Sequence, residues 1–160
     1  MINKIQKTVT LKVFHWDQLD EEIKTLIYMA RSASSQAYAP YSNFMVGAAL
    51  LLDNGEILSG NNQENVSFPV GICAERVVLG YAHARYPKSK PLKLAVAAKR
   101  RNEKNFAYVT PCGLCRQTIS EYEQRYSEPI EIYMLAPNDE IYKVDSIDEL
   151  LPFKFNDLNG

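Results

Sequence analysis

Three apolar runs of strand length constrain this chain more than any other feature. They are MVGAALLL over residues 45–52, LKLAVAA over residues 92–98 and IEIYML over residues 130–135. Each is short and almost continuously apolar, which fits a strand covered on both faces. The first run leads into Asn54-Gly55, a hairpin-turn dipeptide, and then into EILSG. Segments of helical period lie between the runs. Leu19 and, within residues 20–37, Ile23, Leu26, Ile27 and Ala30 define one apolar face, and Pro40 ends that pattern. Residues 73–86 and the segment CGLCRQTISEYEQRY read as two further helices. Ile141–Val144 makes a short fourth strand, and a helical turn near Ile147–Leu151 leads to Pro152. Alternating strands and helices predict an α/β sandwich around a mixed sheet. Residues 1–20, with the strand-like VTLKVF, are read as an N-terminal arm of unassigned role, and residues 21–160 as a single domain.

Length and charge narrow the function. A chain of 160 residues can bury one full core without disulfide staples. With 18 basic and 19 acidic residues it carries no broad basic footprint, so nucleic acid is not an expected partner. No apolar run approaches the roughly 20 residues needed to span a bilayer, and the first residues lack a signal-type apolar stretch. Membrane attachment is therefore not expected, and the chain reads as cytoplasmic. Its three cysteines, Cys73, Cys112 and Cys115, are an odd count in such a protein, which argues against a disulfide framework.

All three thiols fall at predicted helix starts. Cys73-Ala74-Glu75-Arg76 opens one helix, and Pro111-Cys112-Gly113-Leu114-Cys115-Arg116-Gln117 opens the next. Helix N-termini present unpaired N–H groups and a partial positive charge, which stabilise thiolates, the metal-binding form of cysteine. Three thiolates suit zinc, with the fourth position either closed by protein or open to water. His83 lies ten residues beyond Cys73 on one helix, about 15 Å along its axis, and is out of reach. Three readings stand at this point: buried cysteines without metal, a structural zinc closed by His15, and an open catalytic zinc. Glu75, in the first helical turn, could serve an open site as proton carrier, or could merely complement the helix dipole. Cys-Ala-Glu followed by Pro-Cys-x-x-Cys is the zinc deaminase signature, with cysteine in place of histidine and the glutamate as general acid and base.

On these motifs the chain resembles the cytidine deaminases of the small homotetrameric class with three cysteine ligands. AYAPYSNFMVGAALL, GNNQENVSFPVGICAERVVL, PCGLCRQ and ELLPFKF are similar to that family's successive motifs, and residues 1–20 lie outside the resemblance. The resemblance implies a three-layer αβα sandwich and one Zn²⁺ per chain held by Cys73, Cys112 and Cys115. It implies Glu75 as the proton shuttle, Asn62 and Glu64 on the ribose hydroxyls, Phe44 beside the pyrimidine and the Ala74 backbone on the base. It also implies that Arg76 donates to ligand sulfurs. Phe155 would reach from a neighbouring subunit into the site, in a homotetramer with shared active sites. The implied reaction is hydrolytic deamination of cytidine and deoxycytidine to the uridine counterparts and ammonia, as in pyrimidine salvage. A related nucleoside or nucleoside antibiotic as substrate, or a zinc-binding module without turnover, are the alternatives. Phe68, Gln63 and Leu114 depart from the family pattern and bear on substrate range.

Overall fold

Residues along the central strands alternate between two cores, one on each face of a single sheet. The computed structural model describes residues 2–155. The strands are β1 (Lys12–His15), β2 (Phe44–Leu52), β3 (Ile57–Asn61), β4 (Pro91–Arg100), β5 (Glu131–Leu135) and β6 (Glu140–Val144), in the order β1-β6-β5-β4-β2-β3. The β4–β5 pair is parallel and the other pairs are antiparallel, so the sheet is mixed. Helix α1 (Glu21–Ser34) covers one face, packing Ile23, Leu26, Ile27 and Ala30 on Ala49, Leu51, Ala95, Ala97, Tyr133 and Leu135. Helices α2 (Ala74–Arg85) and α3 (Gly113–Tyr126) cover the other. They set Val78, Leu79, Ala82 and Ile119 on Ala48, Leu50, Leu94, Val96, Ile132 and Met134. This is the expected three-layer αβα arrangement. The period of two in β2, β4 and β5 supplies both interfaces from one strand each.

Local chemistry fixes the elements. Asp20 caps α1 by accepting from the Ile23 amide at 2.9 Å. In the β2–β3 turn Gly55 has φ +84°, a conformation that costs glycine little, and the Asn54 side chain accepts from Glu56 N at 3.1 Å. Gly47 lets α1 approach β2, because a Cβ there would sit 2.0 Å from the Ala30 carbonyl oxygen. The N-terminal segment differs from the expected separate arm. Lys12–His15 joins the sheet as an edge strand, with Val13 opposite Tyr142 of β6, and Leu19 is buried in the α1 core. The sheet therefore begins before residue 21. Asn156–Gly160, within the expected domain, lie outside the described residues. Among the described residues no helix is long and apolar enough to cross a membrane.

Strand direction places the site. β3 and β4 both run antiparallel to β2, and β5 runs parallel to β4. The carboxyl ends of β3, β4 and β5 thus share one edge of the sheet, where β2 begins at Phe44. Helix α2 follows β3 and α3 follows β4, so both start at that edge, where open α/β sheets bind their ligands.

Glu123 of α3 locks the C-terminal part of the chain to this frame. Its buried Oε1 accepts from both Ile130 N and Ile147 N at 2.9 Å, and burial pushes its pKa up. Glu123→Ala strands two buried N–H groups and is expected to cost about 2–4 kcal/mol in denaturant unfolding. Glu123→Gln keeps the acceptor. A raised native pKa gives stability that is lost as pH rises above the usual carboxylate range, so Glu123→Gln should flatten that fall. A wild-type-like slope in Glu123→Gln would contradict this role.

Candidate active site

The starts of α2 and α3 meet, and each brings cysteine sulfur to the meeting point. Cys73 is the N-cap of α2 and Cys112 the N-cap of α3, both in extended backbone, while Cys115 lies in the first turn of α3. The Cys73 and Cys112 sulfurs are 3.8 Å apart, those of Cys112 and Cys115 are 3.5 Å apart, and all three lie within 4.8 Å of one another. Tetrahedral zinc with Zn–S bonds of about 2.3 Å requires sulfur separations of about 3.8 Å. Taken alone, the thiols ionise unequally. A hydrogen bond from Cys115, helped by Cys112 and the Arg76 charge, brings Cys73 down to about 6. The same contact and burial push Cys115 up. A second and third thiolate at these distances require a cation among them. The donor set and its spacing fit a zinc ion. His15 lies on β1 at the far edge of the sheet and His83 contacts the Tyr126 hydroxyl, so among the described residues neither joins the cluster.

A cavity of about 460 Å³ opens beside Cys73 and Cys112. Glu75, the second residue of α2, lines it although only 4% exposed. Burial, with a smaller contribution from the Cys73 charge, raises its pKa, so its carboxyl holds a proton more readily than an exposed glutamate. Phe44, Asn62, Gln63, Glu64 and Phe68 also line the cavity.

Asn62 and Glu64 are already engaged within the chain. The Asn62 Oδ1 accepts from Val46 N at 2.8 Å and its Nδ2 donates to the Phe44 carbonyl at 3.0 Å. One amide thereby fixes the start of β2 and the backbone that presents Phe44. Glu64 accepts from Tyr41 N at 2.9 Å and Ser42 N at 3.3 Å on one oxygen, and from the Ser42 hydroxyl at 2.5 Å on the other. The Ser42 hydroxyl does most to lower the Glu64 pKa, so this carboxylate stays ionised. Ser42 Oγ also accepts from Phe44 N at 3.0 Å across Asn43, whose φ of 55° turns the chain. The Arg100 guanidinium lies 5.9 Å from the Phe44 ring centre.

The remaining candidates are placed differently. Ala74 is fully buried in the α2 core, so its side chain does not line the cavity. Arg76 acts on Cys73 through charge; among the described residues its guanidinium makes no hydrogen bond to sulfur. Phe155 is 64% exposed and Leu114 is exposed on the first turn of α3; neither lines this chain's own cavity. Sequence reasoning missed Ser42, Arg100 and Arg116. Ser42 and Arg116 sat inside quoted motifs, and Arg100 is recognisable only from its register opposite Phe44.

Residues 20–127 match the family model for the cytidine and deoxycytidylate deaminase zinc-binding region. The chain belongs to this deaminase family. A probable cytidine deaminase of Dictyostelium discoideum is 35% identical over 136 residues, covering 85% of each chain. The cytidine deaminase of Halalkalibacterium halodurans is 35% identical over 136 residues, covering 84% of this chain and 96% of the relative. A solved cytidine deaminase from Burkholderia pseudomallei superposes with a TM-score of 0.70 at 33% identity, over 82% of this chain and 98% of the other. In this deaminase frame the Asn62 clamp has a measurable cost. Asn62→Ala leaves the Val46 amide and Phe44 carbonyl short of a partner and is expected to lower unfolding stability by about 1–3 kcal/mol. Denaturant unfolding checks this; unchanged stability would contradict the clamp.

Proposed function

We propose that the protein is a zinc-dependent hydrolytic deaminase that converts cytidine and deoxycytidine to their uridine counterparts and ammonia. The observation that carries this reading is the position of Glu75, buried on the wall of the cavity that Cys73 and Cys112 also line. One zinc per chain, held by Cys73, Cys112 and Cys115, supplies Lewis-acid activation of water when bound. Glu75 accepts the proton of the attacking water and carries it to ring N3 as the oxygen adds to C4. Glu75 then takes the proton of the new C4 hydroxyl and delivers it to the amino nitrogen; the C4 carbonyl forms as the C4–N bond breaks, and uridine and ammonia leave. A carboxylate that serves as base and then acid benefits from shielding and from a raised pKa, and burial gives Glu75 both.

Phe44 flanks the pyrimidine, and the Ala74 backbone contacts the base. Asn62 and Glu64 take the ribose hydroxyls with the acceptor and donor capacity their internal bonds leave free. Arg76 offsets the excess negative charge of three thiolates around a divalent ion. We further propose a homotetramer in which Phe155 enters a neighbour's site. Exposed apolar side chains support it: Tyr41 and Phe68, whose rings lie 5.9 Å apart, Val66 and Val70, and Leu114, Phe153 and Phe155. Thiolate chemistry and pyrimidine salvage fit a reducing, cytoplasmic setting.

Glu75→Gln preserves shape and cannot shuttle a proton. It is expected to keep zinc and lose at least about 10²-fold in turnover in an ultraviolet assay with cytidine. Wild-type rates in that variant would remove Glu75 from the reaction. A Phe155→Ala chain should be impaired alone and regain activity when reassembled with Glu75→Gln, because each supplies what the other lacks. A fully active monomer in light scattering would contradict the shared site.

A further inference from the structure

Helix α3 does more than present two cysteines, because one of its faces also grips the C-terminal segment. Glu123 accepts from Ile147 N at 2.9 Å, Arg116 Nη1 donates to the Leu150 carbonyl at 2.7 Å, and Gln117 Nε2 donates to the Phe155 carbonyl at 2.7 Å. Arg116 is the joint between this segment and the sulfur cluster. Its Nε donates to the Pro111 carbonyl at 2.7 Å and its Nη2 to the Thr110 hydroxyl at 2.8 Å. Pro111 immediately precedes Cys112, and Thr110 lines the cavity. The Arg116 amide closes the turn by donating to the Cys112 carbonyl at 2.9 Å.

A guanidinium is planar and its N–H directions are fixed relative to one another. Three acceptors held on one fork cannot move independently. A shift of the Thr110–Cys112 turn drags or releases Leu150, and a shift of Leu150 disturbs the turn. We infer that Arg116 is a positioning residue that couples the metal-ligand turn to the C-terminal segment, so that metal binding and order at Leu150–Phe155 reinforce each other. This rests on the reading of Cys112 and Cys115 as metal ligands. By linkage the coupling is reciprocal: whatever holds the segment in place tightens metal binding, and metal holds the segment in place. Where Phe155 serves a neighbouring site, an empty site in one chain then weakens the contribution that chain makes to the next.

The test uses full-length protein and cobalt(II), whose thiolate absorption reports binding. Exchange of the Leu150 and Leu151 amides, both bonded to the Ile147 carbonyl, reports order in the segment. In the wild type, stripping the metal is expected to speed their exchange about tenfold while β4 amides stay protected. Arg116→Met should bind cobalt about tenfold more weakly and exchange fast with or without metal. Arg116→Lys keeps the charge without the fork and should behave like Arg116→Met. Gln117→Leu frees only the Phe155 carbonyl and leaves all three Arg116 acceptors in place, so it should weaken cobalt binding less than Arg116→Met does. Wild-type cobalt affinity in Arg116→Met would overturn the inference. So would metal-independent exchange at Leu150 and Leu151 in the wild type, or an equal loss of protection throughout β4 in Arg116→Met. A wild-type protein that shows no cobalt–thiolate band overturns the metal reading itself, and that failure is visible in the absorbance before any exchange is measured.

Discussion

Two helix N-termini converge at one edge of the sheet, and the sulfur cluster exists because of where they converge. Thiolates crowded within 4.8 Å repel one another, and each needs local positive potential to form. The N-caps at Cys73 and Cys112 and the first turn at Cys115 supply that potential from unpaired amides and two helix dipoles. Both helices must therefore start at the same place, and strand direction arranges it. With β3, β4 and β5 pointing the same way, the chain leaves β3 and β4 at one edge and enters α2 and α3 there. The apolar alternation in β2 and β4 then holds α2 and α3 on one face and α1 on the other. Packing in the core fixes the distance between sulfurs that share no covalent link.

The cavity beside the cluster has a lining that is wired internally. Asn62 holds the backbone at Phe44 and Val46, Ser42 bridges Glu64 to the Phe44 amide, and Arg100 lies near the Phe44 ring. Such bonds fix a ring and a carboxylate relative to each other. The same economy appears on α3, where Glu123, Arg116 and Gln117 each hold one point of the C-terminal segment. Polar side chains here spend most of their bonding capacity on geometry.

Much of this was legible in the residues. MVGAALLL, LKLAVAA and IEIYML became β2, β4 and β5 because continuous apolar character over strand length is a local property. The helix from Ile23 to Ala30 and the turn at Asn54-Gly55 were legible for the same reason. The sulfur cluster was legible because Cys-Ala-Glu and Pro-Cys-x-x-Cys place sulfur at two helix starts. What escaped depends on partners far apart in the chain. Strand β1 becomes part of the sheet through pairing with residues 140–143, and nothing local in VTLKVF specifies that. The Asn62 amide reaches back 16 residues to Val46, and Arg116 reaches forward 34 residues to Leu150. A motif reveals which chemistry a residue can perform; the backbone atoms it meets are set by the tertiary fold.

On the proposed reading, three sulfurs and Glu75 act as one working centre on each chain. The most direct measurement is a zinc titration of chelator-treated protein, with cytidine deamination followed in the ultraviolet. Activity should be negligible at the start, rise in proportion to added zinc and level off at one equivalent per chain. Full activity in the chelator-treated protein, or a zinc-saturated protein that leaves cytidine unchanged, would contradict the claim.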